Sequence, residues 1–145
     1  MAVNMTKRNI IIDCDPGIDD VLAILLAIAN QDKLNILGVT TVAGNQTLEK
    51  VTLNLLKLYT YLGFKTETAS GSKKPLIREL RVGTVHGETG LGDFKFPEPT
   101  IELNSTNAVA FMYDRIMKCE GKVTLVPVGP LTNIGLLLST FPEVK

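Results

Sequence analysis

Two hydrophobic rhythms alternate along the chain. Ile10, Ile11 and Ile12 form an unbroken β-branched run, the pattern of a strand buried on both faces. Pro16 and Gly17 break it. Over residues 21–29 apolar side chains then cover nearly every face, which predicts a fully buried helix ended near Asn30. A second β-rich run over 34–42 closes at Gly44 and Asn45. Leu48, Val51, Leu55, Leu58 and Leu62 recur at helical spacing up to Gly63, an amphipathic helix with a C-terminal glycine. A short strand is expected at 67–69. Over 70–100 the period dissolves into glycine, proline and mixed charge, and so long a connection is commonly functional. Val109, Met112, Ile116 and Cys119 restore the helical period, 123–128 reads as a strand, and 131–138 as a helix. Pro130 stands where that helix would begin, since its missing N–H costs nothing there.

Strands alternating with helices predict an α/β fold: a doubly wound, mostly parallel sheet with helices on both faces. Such sheets bind ligands at the carboxyl ends of their strands. That rule directs attention to 13–20, 43–45 and 128–130.

Composition narrows the function classes. The 145 residues are 45% hydrophobic with a net charge of +0, which excludes intrinsic disorder and suits one domain. Fifteen basic residues balance fifteen acidic ones, so neither nucleic acid nor an anionic membrane is the expected partner. Two cysteines make no disulfide framework, and a reducing cytoplasm is the expected location. The first residues reach too few apolar positions before Asp13 for a secretory core. No stretch approaches the ~20 apolar residues of a membrane span.

The first strand end carries the densest chemistry. Asp13, Asp15, Asp19 and Asp20 crowd one strand-to-helix turn inside almost wholly apolar flanks. Carboxylates packed together repel one another and resist burial. A helix N-terminus offers only about half a positive charge, and no lysine or arginine lies between Arg8 and Lys33. A hard divalent cation neutralises such a cluster, and an all-oxygen set favours calcium or magnesium over zinc. Strand alternation aims Asp13 and Asp15 to one face and Cys14 to the other. Helix capping alone accounts for one or two acids, not four. An aspartyl-phosphate reading, with Asp13 as nucleophile, fails on Pro16-Gly17. Cys14 as nucleophile would need His86, the only histidine, and points the wrong way.

The run IIDCDPGIDDVLAILLA closely resembles the N-terminal signature of inosine–uridine-preferring nucleoside hydrolases. The resemblance continues through TTVAGNQTLEKV, VHGETGLG and VTLVPVGPLTNIGLLL, in that order. It implies calcium-dependent hydrolysis of the N-glycosidic bond of ribonucleosides to ribose and free base. By resemblance Asp15 ligates calcium and takes the proton of the attacking water, and Asp20 ligates the metal. The main-chain carbonyl of Val128 is a third ligand, which leaves its side chain free to vary. Asp19 and Asn45 would hold ribose hydroxyls, His86 would lie near the nucleobase, and Asp13 would support the cluster. Asn45 also suits a turn or cap, and His86 a hydrogen-bonded loop position.

The match extends over the family's N-terminal half, so residues 1–145 read as that half of a nucleoside hydrolase-like domain. By resemblance the other half supplies a further calcium-binding aspartate, more ribose contacts and a histidine that helps the base leave. Two readings therefore stand: a nucleoside hydrolase, or a non-catalytic remnant that keeps a partial metal and ribose site. A homo-oligomer is expected, formed through an uncovered sheet edge or helix face.

Overall fold

Strand β1 (Arg8–Cys14) takes the centre of the sheet because its isoleucines are apolar on both faces. The computed structural model describes residues 7–145; residues 1–6, part of the N-terminal stretch too poor in apolar positions for a secretory core, lie outside the described residues. With β2 (Leu34–Thr41), β3 (Thr68–Ser70) and β4 (Val123–Pro127), β1 forms a parallel sheet in the order β3-β2-β1-β4. The register of β1 on β2 shifts between Ile10 and Ile11, where Leu37 is bulged out.

Helices cover both faces. Ile10, Ile12 and Cys14 pack with Ile24 and Ala27 of α1 (Ile18–Ala29) and with Leu55, Leu58 and Tyr59 of α2 (Leu48–Leu62). On the opposite face Ile11 meets Met112 of α3 (Ala108–Lys118) and Leu137 of α4 (Thr132–Thr140). Caps set the helix starts: Thr47 Oγ1 accepts from Lys50 N, and Asn107 Oδ1 from Ala110 N at 3.1 Å. Gly63, at φ 60°, ends α2 in the left-handed conformation that glycine enters without strain. The expected doubly wound architecture is present.

The boundaries of four elements and one helix face depart from expectation. β3 runs one residue later than 67–69, while β2 and β4 stop one residue short of 42 and 128. Helix α4 begins at Thr132 with Leu131 as its cap, so Pro130 lies before the helix rather than in its first turn. The fully buried helix expected at 21–29 is not fully buried. Ile24 and Ala27 face the sheet, whereas Leu22 is 62% and Leu26 67% exposed. A helix on one side of a sheet hides a single stripe, and the Ile18–Leu22–Leu26 stripe behind it is left 48–67% exposed by the described residues.

β2 and β3 lie on one side of β1 and β4 on the other, so the strand order reverses at the carboxyl ends of β1 and β4. Parallel sheets form their ligand crevice at such a switch point. The long connection 71–107 carries no regular helix or strand, only an isolated bridge between Ala69 and Ser105. It is tied to the same end of the sheet by Gly71 N to Thr41 O, Ala43 N to Ser72 O and Gly83 N to Asn45 O, each 2.9–3.0 Å.

Candidate active site at the carboxyl ends of the strands

Asp13, Asp15 and Asp20 are all buried, exposed by 1%, 6% and 3%. Asp13 is the last acid on β1, and its Oδ1 accepts from Thr40 Oγ1 at 2.5 Å and from Asn133 Nδ2 at 2.8 Å. Its Oδ2 has no partner among the described residues. Burial pushes its carboxyl up to about 6, against the two hydrogen bonds that favour the ionised form; the Asp15 charge adds to the rise.

Asp15 stands just beyond β1, against the turns that follow β2 and β4. Its Oδ2 accepts from Asn45 N at 2.7 Å, and its carbonyl from Asn45 Nδ2 at 2.9 Å. One asparagine thus grips both the backbone and the side chain of this acid. Burial is the main force raising the Asp15 carboxyl, and the Asn45 N–H works against it. The turns leave no room beside it: a Cβ on Gly129 would fall 2.9 Å from Asp15 Oδ1, and one on Gly44 would overlap Oδ2. Glycine is required at both positions for close approach.

Asp20 sits in the first turn of α1 and points inward. Gly17 N donates to its Oδ2 at 3.4 Å, while Oδ1 has no partner among the described residues. Burial, then the Asp15 charge, lift its carboxyl to about 7. Asp19, one position round the helix, is exposed instead, and its Oδ1 lies 3.4 Å from His86 Nε2. The loop histidine is thereby brought to the acid turn. Val128 is 43% exposed; its N–H and that of Gly129 donate to Asp13 O at 2.9 and 3.1 Å. All seven residues singled out in the sequence meet at one end of the sheet. Cys14 does not: it is buried in the core, its Sγ donates to Thr40 O, and burial beside the acids pushes its thiol up, so it is no nucleophile.

None of the ion pairs among the described residues reaches Asp13, Asp15 or Asp20. Two buried carboxylate oxygens without a partner among the described residues, on acids that none of those ion pairs reaches, form a donor set that fits a hard divalent ion. The fit is partial: among the described residues, no three His, Cys, Asp or Glu side chains converge as a metal shell. Asp15 and Asp20 would need main-chain or further oxygens to complete one.

Sequence reasoning passed over four neutral polar residues here. Asn133 is fully buried: besides Asp13 it donates to Thr41 O at 3.0 Å and accepts from Ser72 N at 2.9 Å. Thr40 holds Asp13 from β2. Gln46 and Asn54 are buried and bond to the loop that carries His86. The available signal was a polar residue on an apolar stripe, as with Asn133 four positions before Leu137 and Asn54 beside Leu55.

The family model described as inosine-uridine preferring nucleoside hydrolase matches residues 10–145. Over 140 residues the chain is 48% identical to the pyrimidine-specific ribonucleoside hydrolase RihA of Shewanella sp. (strain MR-7), covering 95% of this chain and 44% of that protein. Over 141 residues it is 43% identical to the pyrimidine-specific ribonucleoside hydrolase RihB of Escherichia coli (strain K12), covering 97% and 45%. Among solved structures, the purine-preferring ribonucleoside hydrolase from Gardnerella vaginalis superposes with a TM-score of 0.88 at 29% identity, over 95% of this chain and 45% of that one. A plant nucleoside hydrolase, PpNRh1, gives 0.88 at 31% identity, over 96% and 45%. The chain therefore spans a little under half the length of these relatives. Sequence and fold agree, and the chain belongs to the inosine-uridine preferring nucleoside hydrolase family.

Proposed function

We propose that this chain contributes the acid half of a calcium-dependent nucleoside hydrolase site, which cleaves the N-glycosidic bond of a ribonucleoside to ribose and free base. The observation that carries the reading is the trio of buried carboxylates at the switch point, two of them with an unpartnered oxygen. Asp15, Asp20 and the Val128 main-chain carbonyl would hold the calcium, with Asp13 behind them. Bound there, calcium would supply the positive charge that makes water more acidic. Asp15 accepts the proton of the attacking water, and Asn45 keeps its carboxylate aimed. The water oxygen bonds to the anomeric carbon as the carbon–nitrogen bond breaks, the electron pair leaving with the base. The surrounding negative charge favours the oxocarbenium-like transition state. Asp19 and Asn45 hold ribose hydroxyls, and His86 faces the base. We place the protein in the cytoplasm, since Cys14 and Cys119 are both free thiols and no helix among the described residues is long and apolar enough to cross a membrane. Its proposed state is a homo-oligomer.

Ribose release from inosine and from uridine, with calcium or with chelator, tests the reading. Release that requires calcium supports it; calcium binding without any release supports the second reading, a remnant that keeps metal and ribose contacts but no turnover. The second reading draws on the partial donor set: among the described residues, no three His, Cys, Asp or Glu side chains converge as a full metal shell.

A further inference from the structure

The loop at 83–92 brings His86 to the acid turn, yet it contains no helix or strand to hold it there. Its hold comes from α2 and the turn that leads into it. Lys50 and Asn54, four apart, share one side of α2, and Gln46 lies just before its Thr47 cap. All three donate to main-chain carbonyls of the loop. Gln46 Nε2 reaches Gly87 O at 3.2 Å, Lys50 Nζ reaches Glu88 O at 2.6 Å, and Asn54 Nδ2 reaches Thr89 O at 2.8 Å. Asn54 Nδ2 also donates to Pro16 O at 3.1 Å, in the turn between Asp15 and Gly17. One buried amide therefore ties the histidine loop to the acid turn.

The loop is shaped to rest on this stripe. Gly87, Gly90 and Gly92 have φ of 71°, 84° and 58°, and a Cβ on Gly90 would lie 3.1 Å from Asn54 Nδ2. At the other end of the clasp, a Cβ on Gly17 would lie 2.8 Å from His86 Cδ2, so the ring rests against the turn that Asn54 holds.

We propose that Asn54 is a positioning residue, whose side-chain amide fixes the 83–92 loop, and so His86, against the acid turn. Its meaning for nucleoside chemistry rests on the function proposed above; the clasp itself does not. Because the stripe binds carbonyl oxygens, it constrains the loop's path and not its side chains. Asn54 gives the part-buried Thr89 O its donor, whereas Gly87 O also accepts from Gly90 N, so the amide of Asn54 is the harder of these to replace.

His86 is the only histidine, so its ring can be observed without overlap in the ligand-free 145-residue chain by imidazole-labelled NMR. The wild type is expected to show a nuclear Overhauser contact from the ring to Gly17. Asn54→Leu keeps the volume and Asn54→Asp the shape, but neither can donate; both are expected to lose the contact while the amide shifts of Ile10, Ile11 and Ile12 stay in place. A packing role alone would be served by leucine, so a contact kept in Asn54→Leu overturns the proposal, as does its absence in the wild type. Should the Asn54 variants fail to fold, Gly90→Ala strikes the same clasp from the loop: loss of the contact supports the proposal and its survival overturns it. Failure of ribose release would remove the nucleoside reading and leave this result standing.

Discussion

At the scale of single residues, the buried carboxyls set the sign of a pH effect. Asp13 rises from 3.8 to about 6 and Asp20 from 3.8 to about 7. Between those values the folded chain holds protons that the unfolded chain has released, so stability falls as pH rises from about 4 to about 7. Ionising Asp13 in place costs on the order of 3 kcal/mol. The metal-free chain is expected to melt at a lower temperature at pH 7.5 than at pH 5. Calcium at a hundred times its dissociation constant should restore about 2.7 kcal/mol at pH 7.5. Melts that rise with pH would contradict the burial of these acids, and melts indifferent to millimolar calcium would discard calcium as the ion. Asp15 gives the sharpest test of chemistry. Wherever ribose release is measurable, Asp15→Asn should lower it by about 10²–10⁴-fold through loss of the base alone, with weaker metal binding adding to that; Asn45→Ala should be milder. Turnover above a tenth of wild type in Asp15→Asn would remove the base assignment. The acids were legible in the sequence because charge inside an apolar run has few innocent explanations. Thr40, Asn54 and Asn133 were not, because neutral polar side chains serve equally as caps, turns or solvated positions until their partners are seen.

Among the elements, α4 shows how a side chain can outweigh a helix's apolar stripe. Asn133 joins α4 to the ends of β1 and β2 and to Ser72. Asn133→Leu keeps the volume but leaves Ser72 N without that partner and removes one of two donors from Thr41 O and from Asp13 Oδ1, and an unsatisfied buried group costs about 1–3 kcal/mol. A loss of about 1–3 kcal/mol is expected in urea unfolding, and a smaller loss would mean that Leu137 alone docks the helix. Most elements could be read from their period: the isoleucine run gave a central strand, and the leucine spacing gave α2 with its glycine stop. Ends slipped by a residue because capping, not hydrophobicity, decides them. Helix α1 was misread for another reason. Its residues are apolar all round, which reports what the sequence is built to bury, whereas the described residues cover only the sheet side.

Over the whole molecule, that uncovered surface predicts association. β4 pairs with β1 on one side only, and parallel strands are normally covered and flanked. Beside it, an apolar groove of about 540 Å³ runs between α1 and the sheet, lined by Ile10, Ile12, Ala23, Leu26 and Val126. Round the helix, Ile18, Leu22, Tyr61 and Phe94 border a second apolar hollow of about 280 Å³. Patches this extensive on a lone chain, next to an open strand edge, drive self-association. The 145-residue chain is expected to run as a dimer or larger species in light scattering at micromolar concentration. Leu26→Glu places a charge in the groove at a 67% exposed position, and Thr124→Lys places one on the exposed side of the edge strand. Neither touches the acid turn, so the pair should shift the chain toward monomer without altering the calcium response. A wild-type chain that is monomeric at those concentrations would overturn the prediction, and oligomers that persist unchanged in the double variant would move the contact away from the β4 edge and its groove.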